Sequence, residues 1–160
     1  MTSKAYFKSL ALLHFALTMG QVIFLMVLVY LHTSLMPEQA DKTFATVLMY
    51  FVPAVALLSF STGSFIYRTK LTALKTVSSL SEKLTGYRLT MITRFALWEG
   101  ASLFSLIAYQ LTGNNLFTVI TVVFVLLFIV VRPTPEKLVY ELELSPDEKA
   151  VIENPDGVVL

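Results

Sequence analysis

F-T-V-I-T-V-V-F-V-L-L-F-I-V-V, residues 117–131, runs for fifteen positions without a charged side chain. With Asn115 and Leu116 in front of it, the stretch reaches about 17 residues, the lower end of what carries a helix across a hydrocarbon core of about 30 Å. Three further apolar runs, at about 9–31, 44–67 and 91–111, are longer still. The chain therefore reads as all-α, an integral membrane four-helix bundle, with residues 1–131 forming the transmembrane domain and 132–160 an acidic tail.

Composition points the same way. Hydrophobic residues make up 56% of the 160 and charged residues 14%, where soluble domains carry about 45–50% and about 25%; mean hydropathy is +0.71. A net charge of +1 gives no reason to expect nucleic acid. There are no cysteines, which removes disulfides, thiolate metal sites and thiol nucleophiles while leaving the redox compartment open. Lys4 and Lys8 precede the first run as they would in a signal peptide. That run exceeds 20 residues and lacks a small-x-small cleavage site, so it predicts a retained anchor.

Charge between the runs sets the expected orientation. The N-terminus carries Lys4 and Lys8, and the loop 68–88 carries Arg68, Lys70, Lys75, Lys83 and Arg88 against Glu82 alone. The other side is poor in cations, with Lys42 set against Glu38 and Asp41 in 32–43 and no charge in the Thr112–Asn115 turn. By the positive-inside rule both termini and the basic loop of this multi-pass chain are cytoplasmic. The tail is acidic, with three cations and seven anions from Arg132 onward, but acidic residues weigh little in that rule.

At an offset of 80, His14–Phe24 (H-F-A-L-T-M-G-Q-V-I-F) matches Arg94–Phe104 (R-F-A-L-W-E-G-A-S-L-F) at five of eleven positions. Either a helical hairpin has been duplicated in parallel, as in some transporters, or two oily segments coincide by chance. Within 68–88, Leu71, Leu74, Val77, Leu80 and Leu84 recur at helical spacing, so the second helix is expected to continue into the cytoplasm or lie on the membrane surface, ending at Gly86. The cations there, Arg68, Lys70, Lys75, Lys83 and Arg88, are candidate lipid-headgroup ligands; a topology signal with a solvated face is the plainer explanation.

After the fourth run, Thr134 and Pro135 read as the cap and first residue of a short amphipathic cytoplasmic helix, and S-P-D-E repeats the device with Glu148 closing a capping box. The apolar side of Leu138, Val139 and Leu142 must find the membrane surface, the basic loop or a partner. The acidic tail could dock on the basic loop. The last residues, N-P-D-G-V-V-L, are expected to fray.

Polar residues inside the spans are the remaining chemistry. His14, Thr18 and Gln21 fall at i, i+4 and i+7 on one stripe. Counting at 1.5 Å per residue, Arg94 lies about 6 Å deep and Glu99 about 13 Å deep, with Ser102 one turn further. A mid-membrane carboxylate costs about 2.5–3.5 kcal/mol on insertion scales and is rarely left facing lipid. One polar seam of His14, Thr18, Gln21, Arg94, Glu99 and Ser102 between the first and third helices is therefore expected, with Pro53 bending the second helix toward it. The seam serves either a proton or ion step through Glu99 and His14, as in a small proton-coupled transporter or channel, or a packing clamp with Arg94 or His14 neutralising Glu99. The clamp is the stronger reading, because the outer half offers few polar residues to continue a path.

Metal and cofactor readings find no support. His14 and His32 lie 18 residues apart, about 27 Å on one helix, so they cannot share a metal, and a haem would need a second copy to supply its other histidine. No nucleophile elbow, zincin motif, phosphate-binding loop or paired carboxylates are present, which argues against an enzyme.

Y-R-L-T-M-I-T-R-F-A-L-W-E-G-A-S-L-F-S-L-I-A-Y-Q-L-T-G-N, an apolar span, R-P-T-P-E-K and a short E-L-x-L-S-P-D-E helix together resemble a group of small uncharacterised bacterial inner-membrane proteins with four spans. The resemblance covers about Lys83–Glu148 and implies the four-span fold, but no activity and no site residue. A membrane glutamate in a doubled hairpin is also similar to the rotor proteolipids of rotary ATPases, from which the chain departs in having only six glycines. The expected role is that of a non-enzymatic accessory or interaction subunit, with the bilayer and a membrane protein or a second copy as partners.

Overall fold

The computed structural model describes residues 1–35 and 40–159; Glu38, counted above in the outer loop, lies outside them. Six helices follow in order: α1 (Ser3–Leu35), α2 (Lys42–Lys75), α3 (Leu80–Thr112), α4 (Asn115–Val130), α5 (Pro135–Leu142) and α6 (Pro146–Glu153). Each of the first three is about 50 Å long at 1.5 Å per residue, well beyond a hydrocarbon core. These three are long and apolar enough to cross a membrane, and a fourth joins them if α4 and α5 are counted as one span bent by 83°. Pro133 accounts for the bend, since it biases Arg132 away from helical geometry and offers no N–H of its own.

Helix α3 sits at the centre. Half of its most apolar stretch is buried, against 22% in α1 and 17% in α2, and it packs against α1, α2 and α4. Helix α1 runs parallel to α3, fixed at three levels: the Tyr6 hydroxyl donates to the Leu84 carbonyl, the His14 ring meets Phe95 at 5.4 Å, and His32 meets Tyr109 at 4.9 Å. The sequence separations of these pairs cluster around the offset at which the two halves match. The halves nonetheless pack differently, because α3 and α4 form a close hairpin whereas α1 and α2 share no comparable interface.

Two glycines mark where α2 and α3 approach. Gly86 does not end a helix; it lies inside α3, and a Cβ there would collide with the Leu74 side chain of α2. Its role is to let the two helices close at their turn, a purpose that helical spacing alone cannot distinguish from termination. Gly63 seats Trp98, whose Nε1 lies 2.8 Å from where a Cβ would stand. Helix α2 passes through Pro53 without a break.

The tail is built as its capping residues predict. The Thr134 hydroxyl accepts from the Lys137 amide, and Ser145 and Glu148 form a reciprocal capping box. Leu138 and Leu142 are wholly buried, so α5 finds its cover on the bundle. Of the final residues expected to fray, 154–159 do not, and Leu160 lies outside the described residues. The Ser3 and Lys4 amides donate to the Gly157 and Pro155 carbonyls, the Ser3 hydroxyl donates to the Ile152 carbonyl, and Val158 pairs with Thr2. The first amides of α1 have no partners within their own helix, and the returning tail supplies them.

Candidate functional site

The stripe His14, Thr18 and Gln21 is buried along α1 as its spacing predicts. His14 Nε2 donates to the Phe128 carbonyl at 2.7 Å, a last-turn acceptor of α4 that it shares with the Val131 amide. His14 therefore ties α1 to the end of α4. Thr18 donates back to the His14 carbonyl. Between α3 and α4, Ser105 donates to the Phe117 carbonyl at 2.8 Å, and Thr121 approaches the Ser102 carbonyl at 3.2 Å.

The expected single seam is not what these residues form. Arg94 turns to the α2 side of α3, where its guanidinium lies 3.7 Å over the Tyr67 ring and 5.2 Å from Trp98. Tyr67 in turn donates to Glu141 Oε2 at 2.5 Å, and Tyr87 donates to the same oxygen at 3.2 Å. Arg94 thus sits beneath a tyrosine–carboxylate cluster at the polar end of the bundle, apart from Glu99. Burial and the neighbouring Tyr67 and Glu141 hold the Tyr87 hydroxyl far above the ordinary tyrosine range, so it remains a donor. Local spacing gives no sign of the cluster, because Tyr67 and Glu141 stand 74 positions apart; the one available signal is a carboxylate on a short helix with an otherwise apolar side.

Glu99 is left without an ion pair or hydrogen bond to any described residue, and it is half-buried. It shares a stripe of α3 with buried Phe95 and Ser102, while Ala96 and Gly100 beside it are exposed. On α1, Ala16 and Gly20 are exposed too, and a Cβ at Gly20 or Gly100 would meet nothing within 4 Å. Seven residues beyond the His14–Phe95 contact on each helix, Gln21 and Ser102 are fully buried, and the Gln21 amide and Ser102 hydroxyl lack partners. Polar groups at the level of Glu99 therefore come from α1 and α3, and neither His14 nor Arg94 neutralises it.

The five basic candidates also divide. Lys83, 6% exposed, is held by both oxygens of Glu148 at 2.8 and 3.1 Å. Lys75 meets Glu143 at 2.6 Å in a pair open to solvent. Arg68 and Lys70 are exposed, and Arg88 is half-buried. The acidic tail thus docks on the basic turn, as charge alone suggests. Burial raises the Glu148 carboxyl, but the Lys83 hydrogen bond and charge, with the Ser145 amide, outweigh it and hold the group below its ordinary range. Among the described residues no group of three or more histidine, aspartate or glutamate side chains is placed to hold a metal.

No family model matches this chain, and neither does any curated protein or solved structure.

Proposed function

We propose that the chain is an integral protein of a bacterial inner membrane, spanning it four times with both termini cytoplasmic, and that it acts without enzymatic chemistry as an accessory or self-associating subunit. The observation that carries this reading is Glu99. A carboxyl about 13 Å deep on an apolar helix is costly to leave against lipid, and no other described residue pairs with it. Beside it, Ala96 and Gly100 on α3 and Ala16 and Gly20 on α1 stand exposed at i, i+4 spacing, the small-xxx-small arrangement that admits a neighbouring helix. A helix seated there, from a second copy or a membrane partner, gives Glu99 a hydrogen-bond donor or a second carboxyl with which to share a proton.

The basic turn at the end where both termini gather supports the orientation, and the parallel register of α1 and α3 supports an origin by hairpin duplication followed by divergence in packing. The four-span family resemblance over Lys83–Glu148 belongs to the same reading. Unpartnered Gln21 and Ser102 near Glu99 favour, as a second reading, a proton-coupled transporter or channel. Extraction in mild detergent with mass determination separates the two. An oligomer or a co-purifying subunit that Glu99→Leu disperses supports the first, whereas a monomer whose proton flux in liposomes is abolished by Glu99→Gln replaces it.

A further inference from the structure

A second face of the bundle, away from Glu99, carries a pair of clefts along α2. Pro53, Leu57, Phe60, Ser64, Arg68, Leu71 and Lys75 recur at intervals of three and four, and so form one stripe of the helix. Its lower part borders a wholly apolar cleft of about 470 Å³ between Pro53, Leu57 and Phe60 on α2 and Val119, Val123 and Leu127 on α4. Its upper part borders a cleft of about 650 Å³ toward α5, where Arg68, Thr72, Lys75, Tyr140, Glu141 and Glu143 line the wall. The 83° bend between α4 and α5 makes a single chain segment the opposite wall of both.

The dimensions match one leaflet. Leu57 and Arg68 are eleven residues apart, about 16 Å along the helix, and half of a hydrocarbon core is about 15 Å. The chemistry also changes at the right level, from no polar lining below to charged lining above. The upper cleft holds two cationic and two anionic side chains. Arg68 has no carboxylate partner among the described residues, and the Lys75–Glu143 pair is exposed and solvated, hence weak enough for both partners to be shared with a ligand. A zwitterion answers this arrangement, whereas a purely anionic headgroup would leave Glu141 and Glu143 opposed by like charge.

We propose that this stripe binds one phospholipid with a phosphoethanolamine headgroup, its phosphate on Arg68 and Lys75, its ammonium toward Glu141 and Glu143, and an acyl chain along the α2–α4 cleft. The inference rests on the membrane-embedded reading above but not on the partner assigned to Glu99.

Native mass spectrometry of the full chain, released from detergent micelles doped with either dioleoyl phosphatidylethanolamine or dioleoyl phosphatidylglycerol, tests it. The expected result is a single-lipid adduct with the ethanolamine lipid, at least tenfold more persistent than with the glycerol lipid. Arg68→Gln and Val123→Trp, which blocks the apolar cleft, each lower its occupancy about tenfold. Lys70→Gln, on the same turn but outside the cleft, leaves it unchanged. Equal or stronger retention of the glycerol lipid, an effect of Lys70→Gln as large as that of Arg68→Gln, or an adduct indifferent to Val123→Trp overturns the proposal. A detergent-solubilised chain that carries no adduct refutes the lipid site alone, while a chain stable in aqueous extract without detergent refutes the membrane reading beneath it. Matched thermal unfolding of the variants and the parent shows that lost adducts reflect the cleft and not the fold.

Discussion

Replacing Glu148 with Gln isolates the Lys83 ion pair from everything else that residue does. Glutamine serves in a capping box as glutamate does, so the Ser145 cap of α6 persists and only the charge disappears. The two side chains are 8% and 17% exposed and meet at 2.8 Å. Stripping the partner from a well-buried ion costs about 3–5 kcal/mol; with Glu148 partly wetted and an amide oxygen still accepting a hydrogen bond, about 2 kcal/mol is the expected loss. At 1.4 kcal/mol per factor of ten, the population with α6 lifted off the bundle rises about thirtyfold. The lost contact is at the tail, so the long helices should stay intact and the change should appear as local opening. Hydrogen exchange at the Ser3 and Lys4 amides, which donate to the Gly157 and Pro155 carbonyls, reads that opening from the far side of the tail. Protection there should fall about thirtyfold while amides of α3 keep theirs. Unaltered exchange at Ser3 and Lys4, or strict additivity of Glu148→Gln with Lys83→Met in a double-mutant cycle, would refute the reasoning.

Acid should reproduce the same release. The Glu148 carboxyl is held below its ordinary value of 4.5 in the folded chain, so its contribution is present above that value and fades as pH falls through the lower folded one; protection of the Ser3 and Lys4 amides, taken relative to the intrinsic exchange rate at each pH, should fall below about pH 4 in the parent and lose that acid step in Glu148→Gln. At the centre of the bundle, Gly63→Val should displace Trp98 from its seat and cost about 2–3 kcal/mol, as overpacking does; a thermal midpoint within a degree or two of the parent would show that α2 and α3 can part freely there.

How much of this was legible from the residues depends on range. The long apolar helices, the tail caps at Thr134 and Ser145, and the inward stripe of His14, Thr18 and Gln21 follow from local spacing, although the run at 115–131 gives a helix of 16 residues that reaches spanning length only together with α5 across the bend. Docking of the acidic tail on the basic turn follows from charge, although which lysine meets which glutamate does not. Gly86 misleads because a glycine that ends a helix and one that admits a neighbour look alike until the Leu74 side chain is in place. The terminal residues mislead because their partners are the first amides of α1, more than 150 positions away. Arg94 and Glu99 were expected together from depth alone. Five residues separate them, so they project from different sides of α3, and only the arrangement of α1 and α2 around it decides what each meets.

Trp98 is the chain's one tryptophan, stacked on Phe60 of α2 at 5.4 Å and touching Phe128 of α4 at 6.2 Å. The only indole in the sequence, excitable at wavelengths that the seven tyrosines do not absorb, thus stands at the junction of three helices. Its emission wavelength reports, without labelling, whether α2 and α4 remain closed on α3 in the purified chain, in micelles or nanodiscs alike.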